Sequence, residues 1–278
     1  MRIDGHTEVI AHLGFPTHSF KAPLIYNPYF EAEGINALVV PMACRAEVFP
    51  LVLEGLFRLD NVRGALITMP HKVRVVQLLD EASDAVKVAG ACNAVKRLPD
   101  GRLCGEQFDG AGFVRGTQRK GLVLRGARAL VVGCGGVGCP IAASLAGAGV
   151  AEIALHDLNA PAAEALAARL RALHPQLRVS TGSKDPAGFD VVVNCTPLGM
   201  SDQDPLPFDA DRLDSQTFVG EVVMRTELTP LLQAAQARGC RTQVGTDMLF
   251  EMIPAYLEFF GLPVATPERL RELAGPLA

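Results

Sequence analysis

Six residues near the middle of the chain form a glycine-rich loop suited to holding a phosphate group. They read Gly133-Cys134-Gly135-Gly136-Val137-Gly138, directly after the apolar run RALVV and directly before a helical pattern. In such a loop one glycine allows a tight turn, a second lets the backbone approach a pyrophosphate, and a third lets the helix pack closely on the strand. The context predicts a dinucleotide site, with cofactor contacts at Gly133, Gly135, Gly136, Val137 and Gly138. The alternative is a glycine-rich structural turn.

An acidic residue stands where the next strand ends. Asp157 follows Gly138 by 19 positions, in the sequence Asp157-Leu158-Asn159. A carboxylate at this point can accept both hydroxyls of the adenosine ribose, and its charge would repel a 2′-phosphate. No arginine follows it at once, so we expect NAD to be preferred over NADP, with Asp157 and Asn159 at the cofactor. The alternative is an ordinary strand-end aspartate that caps the helix beginning near Pro161.

A second loop follows the apolar strand FDVVVN. It reads Asn194-Cys195-Thr196-Pro197-Leu198-Gly199-Met200. Loops at the carboxyl ends of parallel strands face the ligand crevice. We therefore expect further cofactor contacts at Cys195, Thr196 and Pro197, the alternative being a turn without a ligand.

Lys72 and Asp109 are the candidates for proton transfer. Lys72 lies in Thr68-Met69-Pro70-His71-Lys72, in the first turn of a helix predicted to begin at Pro70. A cation there opposes the helix macrodipole, so a nearby carboxylate or a catalytic use would rationalise it. Asp109 can be that carboxylate. The alternative for Asp109 is an N-cap of the helix that follows it.

The length and composition of the chain favour some classes of protein and disfavour others. A length of 278 residues predicts about two domains, and 49% apolar residues with a mean hydropathy of +0.23 predict a globular chain. The net charge of −4, no Trp and only three Tyr disfavour nucleic-acid binding. Residues 129–151 are uncharged and long enough to cross a membrane, but their six glycines favour a buried strand followed by a buried helix. We expect no membrane association.

The seven cysteines are scattered and include no C-x-x-C pair. This spacing indicates neither a zinc site nor a thioredoxin-like site, so no metal is expected. The first residues, MRIDGHTEVI, contain no apolar signal-peptide core. Reduced thiols and a cytoplasmic location fit both observations.

The order of the elements predicts an α/β fold. After about residue 110, runs of Val, Ile and Leu alternate with helical patterns, which indicates a parallel sheet covered on both faces. The first hundred residues mix strands (35–41 and 65–68), a helix over 22–33, and a hairpin turning at Pro99-Asp100-Gly101. The last residues are helical. The glycine-rich stretch 110–121 is predicted to be the joint.

Several motifs together resemble the shikimate/quinate dehydrogenase family over nearly the whole chain. The matching segments are Gly14-Phe15-Pro16-Thr17-His18-Ser19, 64–72, Ala89-Gly90-Ala91-Cys92-Asn93-Ala94, Asp109-Gly110, the glycine-rich loop, 194–200, Thr229-Pro230-Leu231-Leu232 and Met248-Leu249. The resemblance implies a substrate domain over 1–109, completed by C-terminal helices over 245–278. It implies a Rossmann NAD(P)-binding domain over 110–244, with the active site in the cleft.

The resemblance also implies roles for individual residues. The catalytic lysine of the family falls on Lys72 and its partner on Asp109. Lys72 would take the alcohol proton as hydride leaves for the nicotinamide, a step worth ~10²–10⁴ in rate. The implied partner is a small hydroxy-acid substrate, and the chain is expected to be a monomer or homodimer. Substrate contacts are implied at Ser19, Thr68 and Asn93, and cofactor contacts are further expected at Gly245 and Met248.

Four positions depart from the family pattern. The second carboxylate-binding serine reads Ala22, and apolar residues stand at Leu66, Phe108 and Met252 where polar ones are usual. Hydroxyls of shikimate buried against apolar side chains would be unpaired, each costing ~1–3 kcal/mol. We therefore expect a smaller or more apolar hydroxy acid as the best substrate, with Lys21 replacing a lost carboxylate contact or simply lying in solvent. Alternatives are a shikimate or quinate dehydrogenase proper, and a non-catalytic protein that senses nucleotides.

Overall fold

The computed structural model describes residues 3–201, 203–226 and 228–275. Its strands are β1 (Glu8–Gly14), β2 (Ala37–Ala43), β3 (Val62–Ile67), β4 (Glu81–Ala82), β5 (Ala94–Arg97), β6 (Leu103–Glu106), β7 (Arg128–Val132), β8 (Glu152–His156), β9 (Arg178–Thr181), β10 (Val191–Asn194), β11 (Phe218–Glu221) and β12 (Arg241–Gln243). Its α-helices are α1 (Ala22–Ala32), α2 (Phe49–Leu56), α3 (Asp84–Ala89), α4 (Asp109–Arg119), α5 (Gly138–Gly147), α6 (Ala160–Leu173), α7 (Pro230–Ala237), α8 (Gly245–Phe259) and α9 (Pro267–Ala274). Short 3₁₀ helices cover Arg74–Leu78 and Ala210–Arg212.

The chain divides into two compact units. Among the described residues, the first unit, called the substrate unit below, contains 3–108 and 252–275, and the second, called the nucleotide unit, contains those between 109 and 251. The changes of unit fall at 108/109 and 251/252, the second of them inside α8. The predicted α/β fold, with a substrate domain and a Rossmann domain, is confirmed.

The sheet of the substrate unit is mixed. Its strand order is β2-β1-β3-β5-β6-β4. Strands β1, β2 and β3 are parallel, whereas β5 pairs antiparallel with both β3 and β6. The β5–β6 hairpin turns where the sequence predicted it, and Gly101 there has a φ of +91° that favours glycine.

The sheet of the nucleotide unit is parallel throughout. Its order is β12-β11-β10-β7-β8-β9. Counted from β7, this is the doubly wound arrangement in which the order reverses between the first and fourth strands. Ligands of such sheets bind at this reversal, beyond the carboxyl ends of the strands. Here those two strands are β7 and β10.

Local sequence accounts for several helix starts. The Thr229 hydroxyl accepts a hydrogen bond from the N–H of Leu232 at the start of α7, and the Thr266 hydroxyl does the same from Arg269 at α9. A proline follows each cap, where its missing N–H is no loss. Ser83 caps α3 in the same way.

One local prediction was wrong. The residues after Pro70 do not begin an α-helix, because Lys72 lies in a turn and its carbonyl accepts the N–H of Cys92 at 2.8 Å. Only a 3₁₀ helix, Arg74–Leu78, follows. The stretch 110–121, predicted to be the joint, lies mostly in α4, directly after the change of unit at 108/109.

The membrane-length segment 129–151 consists of β7, the glycine-rich loop, α5 and the start of the next turn. Within the described ranges, none of the helices combines the length and apolar character needed to cross a membrane.

Strand β11 ends on a buried acid, Glu221, of which 1% is exposed. Burial raises the pKa of its carboxyl above the ordinary value of 4.5, while the side chains of Thr229 and Asn194 oppose the shift. A raised pKa means that the folded state prefers the neutral acid. The stability contribution of Glu221 is therefore complete below pH 4.5 and is lost as the pH rises through the folded pKa.

We predict that Glu221→Gln gains stability relative to the wild type as the pH rises from about 4 to about 8, because the amide cannot ionise. Thermal unfolding at a series of pH values measures the difference. Glu164→Gln, at an exposed position of the same unit, should show no such trend. A difference in unfolding temperature independent of pH would contradict the prediction.

Candidate functional site

Two loops of the substrate unit run side by side at the carboxyl ends of β1 and β3. The N–H of Thr68 donates to the carbonyl of Leu13 at 2.9 Å, and the N–H of Phe15 donates to the carbonyl of Met69 at 2.9 Å. Gly14 is needed between them, because a Cβ there would lie 2.4 Å from Cγ2 of Thr68. The loop that carries Ser19 is thus fixed against the loop that carries Lys72.

Lys72 is half-buried and belongs to the second of these loops. The N–H of His71 donates to the carbonyl of Thr68 at 2.8 Å, which closes the turn before the lysine. The bond from Cys92 to the carbonyl of Lys72 ties this turn to the segment that contains Asn93. The structure therefore brings Thr68, Lys72 and Asn93 to one edge of the sheet.

The Asn93 side chain has an unused donor. Asn93 is fully buried, and its Oδ1 accepts the N–H of Phe108 at 3.0 Å. Its backbone carbonyl accepts from the N–H of Ile67 at 2.8 Å. Among the residues that the structure describes, Nδ2 of Asn93 has no hydrogen-bond partner. A buried unsatisfied donor costs ~1–3 kcal/mol, so this amide is suited to a ligand oxygen.

Ser19 and Lys21 lie on the loop after β1. Ser19 is half-buried and precedes Phe20, whose N–H donates to the carbonyl of Thr17 at 3.0 Å. Lys21 occupies the N-cap position of α1, and its carbonyl accepts from Leu24 at 3.0 Å. Their contacts with a substrate carboxylate stay predictions.

Sequence reasoning missed His12, which lies in β1 and is 8% exposed. Its ring stacks on that of Phe20, with centroids 4.1 Å apart. Burial, followed by the positive charge of Lys72, lowers the pKa of His12 to about 3. A histidine inside the apolar run VIAHLG was the available signal.

The glycine-rich loop of the nucleotide unit joins β7 to α5. A Cβ on Gly138 would lie 1.8 Å from the carbonyl oxygen of Gly133, and one on Gly133, whose φ is +99°, would lie 2.8 Å from the backbone of Cys195. Both positions therefore exclude a side chain. At Gly135, by contrast, a Cβ would meet nothing within 4 Å. That open space at the start of α5 fits the pyrophosphate of a dinucleotide.

The second loop, after β10, is held by its own side chains. Oδ1 of Asn194 accepts both the N–H of Thr196 at 3.0 Å and its hydroxyl at 2.7 Å. Nδ2 of Asn194 donates to the carbonyl of Leu198 at 3.0 Å. The N–H of Cys195 donates to the carbonyl of Val132 at 2.7 Å. Both predicted cofactor loops thus lie where the strand order reverses.

Asp109 is the first residue of α4 and is buried. Burial raises the pKa of the Cys195 thiol, and the neighbouring thiols Cys134 and Cys139 and the charge of Asp109 add to the shift. Asp109 therefore lies close to the second loop. A carboxylate in the first helical turn is also favoured by the helix dipole. Its proposed pairing with Lys72 stays a prediction.

Asp157 supports the glycine-rich loop directly. Its Oδ2 accepts the N–H of Cys134 at 2.6 Å, and its Oδ1 accepts the N–H of Asn159 at 2.8 Å. Both carboxylate oxygens are therefore engaged by the protein backbone. This gives the carboxylate a structural role that needs no ribose.

The remaining predicted cofactor residues lie at the start of α8. Gly245 is its first residue, and a Cβ there would lie 2.3 Å from the carbonyl oxygen of Val223. Met248 is 2% exposed and packs in the core of the nucleotide unit. Their cofactor contacts, like that of Pro197, stay predictions. In the described part of the chain, no group of three His, Cys, Asp or Glu side chains is arranged to hold a metal ion.

Comparison with known proteins places this geometry in a family. The family described as "Shikimate dehydrogenase substrate binding domain" matches residues 13–95, and the ThiF family matches residues 115–160. A protein of Rubrobacter xylanophilus named shikimate dehydrogenase (NADP(+)) is 34% identical over 99% of this chain and 98% of its own. The chain belongs to the shikimate dehydrogenase family.

Solved structures of family members agree in fold. Shikimate 5-dehydrogenase from Listeria monocytogenes, in complex with shikimate and NAD, is 26% identical with a TM-score of 0.88, and the match covers 99% of each chain. Quinate dehydrogenase from Corynebacterium glutamicum, in complex with NAD, is 29% identical with a TM-score of 0.86, covering 96% of this chain and 98% of its own. The predicted family resemblance is confirmed.

The predicted preference for NAD over NADP is contradicted. The Rubrobacter relative and three further curated relatives, at 31% to 34% identity, are all named as NADP(+) enzymes. The sequence argument rested on Asp157 repelling a 2′-phosphate. In the structure that carboxylate accepts two backbone N–H groups, so its presence at the strand end does not by itself report the cofactor.

We predict that Gly135→Ala folds normally but weakens dinucleotide binding by about 10-fold or more, because the methyl group fills open space that the pyrophosphate needs. Fluorescence titration with NADPH and with NADH measures affinity, and thermal unfolding measures folding. Gly147→Ala, in α5, also meets nothing within 4 Å and should change neither. Unaltered affinity for both dinucleotides in Gly135→Ala would show that the cofactor lies elsewhere.

Proposed function

We propose that this protein interconverts a secondary alcohol and a ketone on a small hydroxy acid, using a nicotinamide dinucleotide. The observation that carries the proposal is the buried Nδ2 of Asn93, which has no protein partner in the described structure and lies in the segment tied to the Lys72 turn. A donor held there is suited to a substrate hydroxyl. Membership of a dehydrogenase family supports the same conclusion.

Lys72 is proposed to move the proton. As the alcohol is oxidised, its O–H proton passes to the neutral amine form of Lys72 at Nζ, and in the reverse direction the resulting ammonium returns the proton to the ketone oxygen. Proton transfer by a positioned side chain contributes ~10²–10⁴ in rate. Asp109 is proposed to orient Lys72 and to accept a hydrogen bond from a substrate hydroxyl.

The nucleotide unit is proposed to hold the dinucleotide. A nicotinamide dinucleotide bound there would supply the acceptor for the hydride of the alcohol carbon. The open space at Gly135 and the amino end of α5 are suited to the pyrophosphate. The backbone of Cys195 and Thr196, held by Asn194, is proposed to contact the cofactor beside it.

The substrate is proposed to carry fewer hydroxyls than shikimate. Leu66 and Met252 are buried, at 4% and 8% exposure, and their apolar side chains offer no hydrogen-bond partner to a substrate hydroxyl. The Phe108 ring packs edge-on against Tyr256, with centroids 4.7 Å apart, and its backbone N–H is bonded to Asn93. A site that cannot hydrogen-bond a hydroxyl leaves it unpaired, at ~1–3 kcal/mol each.

Two alternatives make different predictions. Shikimate or quinate dehydrogenase activity proper would mean that the apolar residues lie away from the substrate. A non-catalytic nucleotide-sensing role would give dinucleotide binding without turnover. The buried, unsatisfied amide of Asn93 favours an enzyme, since a sensor of nucleotides needs no such donor in the substrate unit.

A substrate panel distinguishes these functions. We predict higher kcat/KM for shikimate analogues that lack one or both of the non-reacting hydroxyls than for shikimate or quinate, measured by the absorbance of reduced nicotinamide with NADP and with NAD. High efficiency on shikimate would contradict the proposed specificity. Binding of a dinucleotide without turnover of any compound would support the sensing role instead.

We predict that Lys72→Ala lowers kcat by ~10²–10⁴ and leaves dinucleotide affinity nearly unchanged, because it removes the proton acceptor only. Lys87→Ala, which removes an exposed lysine of the same unit, is the control. If Lys72 and Asp109 act together in one proton-transfer step, the double variant Lys72→Ala with Asp109→Ala should lower kcat little more than either single variant does. Fully multiplicative losses would show that the two residues act independently.

A further inference from the structure

His12 is a buried polar residue with no assigned role. It lies on β1, and its register partners are Leu66 on β3 and Pro41 on β2. The N–H of Thr68, two residues beyond Leu66, bonds to Leu13. His12 therefore lies in the last part of β1, next to the edge that carries Thr68 and Lys72.

The His12 ring is incompletely satisfied. Its Nδ1 is buried and has no hydrogen-bond partner within the ranges that the structure describes. Because burial and the charge of Lys72 keep the imidazole neutral, it offers one N–H donor and one nitrogen acceptor. Buried polar groups in proteins are nearly always hydrogen-bonded, and a bound ligand would complete the hydrogen bonds of this ring.

The neighbours of His12 are the residues proposed for the substrate. Its ring stacks on Phe20 at an interplanar angle of 28°. Phe20 follows Ser19, and its side chain lies against Gly14 together with that of Thr68. A Cβ on Gly14 would lie 2.4 Å from Cγ2 of Thr68 and 2.8 Å from Cζ of Phe20. The charge of Lys72, on the loop that begins with Thr68, adds to the lowering of the His12 pKa by burial.

Leu66, the register partner of His12 on β3, links His12 to the proposed substrate specificity. Partners in parallel strands project their side chains from the same face of the sheet, so His12 and Leu66 lie side by side on one face. Leu66 occupies the position at which the family resemblance leads one to expect asparagine. The polar group missing from β3 is thus present on the adjacent strand, as the imidazole of His12.

We propose that His12 is a specificity-determining residue that hydrogen-bonds one non-reacting hydroxyl of the substrate in place of the side chain missing at Leu66. The inference rests on the proposed function and deepens it. The substrate class becomes a hydroxy acid with one further hydroxyl on the β1–β3 side. Its remaining positions, toward Phe108 and Met252, carry no hydroxyl.

The test compares four substrates and four variants. The substrates are shikimate, the two analogues that retain only one of its non-reacting hydroxyls, and the analogue that retains neither. The variants are His12→Leu, His12→Asn, Leu66→Asn and the double variant His12→Leu with Leu66→Asn. For each, kcat/KM and dinucleotide affinity are measured, and thermal unfolding checks the fold.

We expect the wild type to favour one of the two single-hydroxyl analogues over the analogue that has neither. His12→Leu should lower kcat/KM for that favoured compound by about 10-fold or more, while changing the compound without non-reacting hydroxyls by less than about 3-fold. His12→Asn should retain part of the preference, because it keeps a donor and an acceptor. The double variant should restore it by placing an amide on the neighbouring strand.

Equal losses on all compounds in His12→Leu, or no loss, would overturn the inference while leaving the proposed function intact. If His12→Leu does not fold, Leu66→Asn alone tests the inference. Its added amide beside His12 should raise kcat/KM for shikimate relative to the other compounds. An unchanged ratio would overturn the inference. If the wild type turns over none of the compounds, the proposed function is wrong. Calorimetric binding of the same compounds then tests the role of His12 by itself. His12→Leu should weaken binding of the favoured single-hydroxyl analogue more than binding of the analogue with neither hydroxyl. An equal effect on all compounds would overturn the inference.

Discussion

Neighbouring parallel strands end at the same edge of their sheet, and both units of this protein depend on that constraint. In the substrate unit, backbone hydrogen bonds join the loop after β1 to the loop that carries Thr68 and Lys72, and the bond from Cys92 to Lys72 adds the segment that contains Asn93. In the nucleotide unit, the bond from Cys195 to Val132 does the same for the loops after β7 and β10. Side chains far apart in sequence become neighbours because their strands are paired.

The features best predicted from the sequence are those formed by residues close together along the chain. The glycine-rich loop is one, since its spacing, the strand before it and the helix after it all lie within a short stretch. The close approaches at Gly133 and Gly138 explain why those two positions are glycine. The β5–β6 hairpin and the alternation of strands and helices after residue 110 were predictable for the same reason.

The errors come from interactions with distant parts of the chain. The helix predicted from Pro70 fails because the carbonyl of Lys72 bonds to the N–H of Cys92, a partner that no local pattern reveals. The cofactor preference rested on Asp157 as a ribose contact, and the sequence does not reveal that this carboxylate accepts the backbone N–H groups of Cys134 and Asn159. The place of His12 depends on the register between β1 and β3, which the sequence alone does not give.

Gly110 fixes one further relation within the nucleotide unit. A side chain at Gly110 would come within 2.0 Å of the carbonyl oxygen of Pro140, so α4 and α5 touch backbone to backbone. Asp109 begins one of these helices, and the glycine-rich loop leads into the other. Asp109 and the glycine-rich loop are therefore linked through the packing of α4 on α5, within one unit. The proposed substrate residues Asn93 and His12 belong to the other unit, so substitutions made there to change the proposed specificity leave this helix pair unaltered.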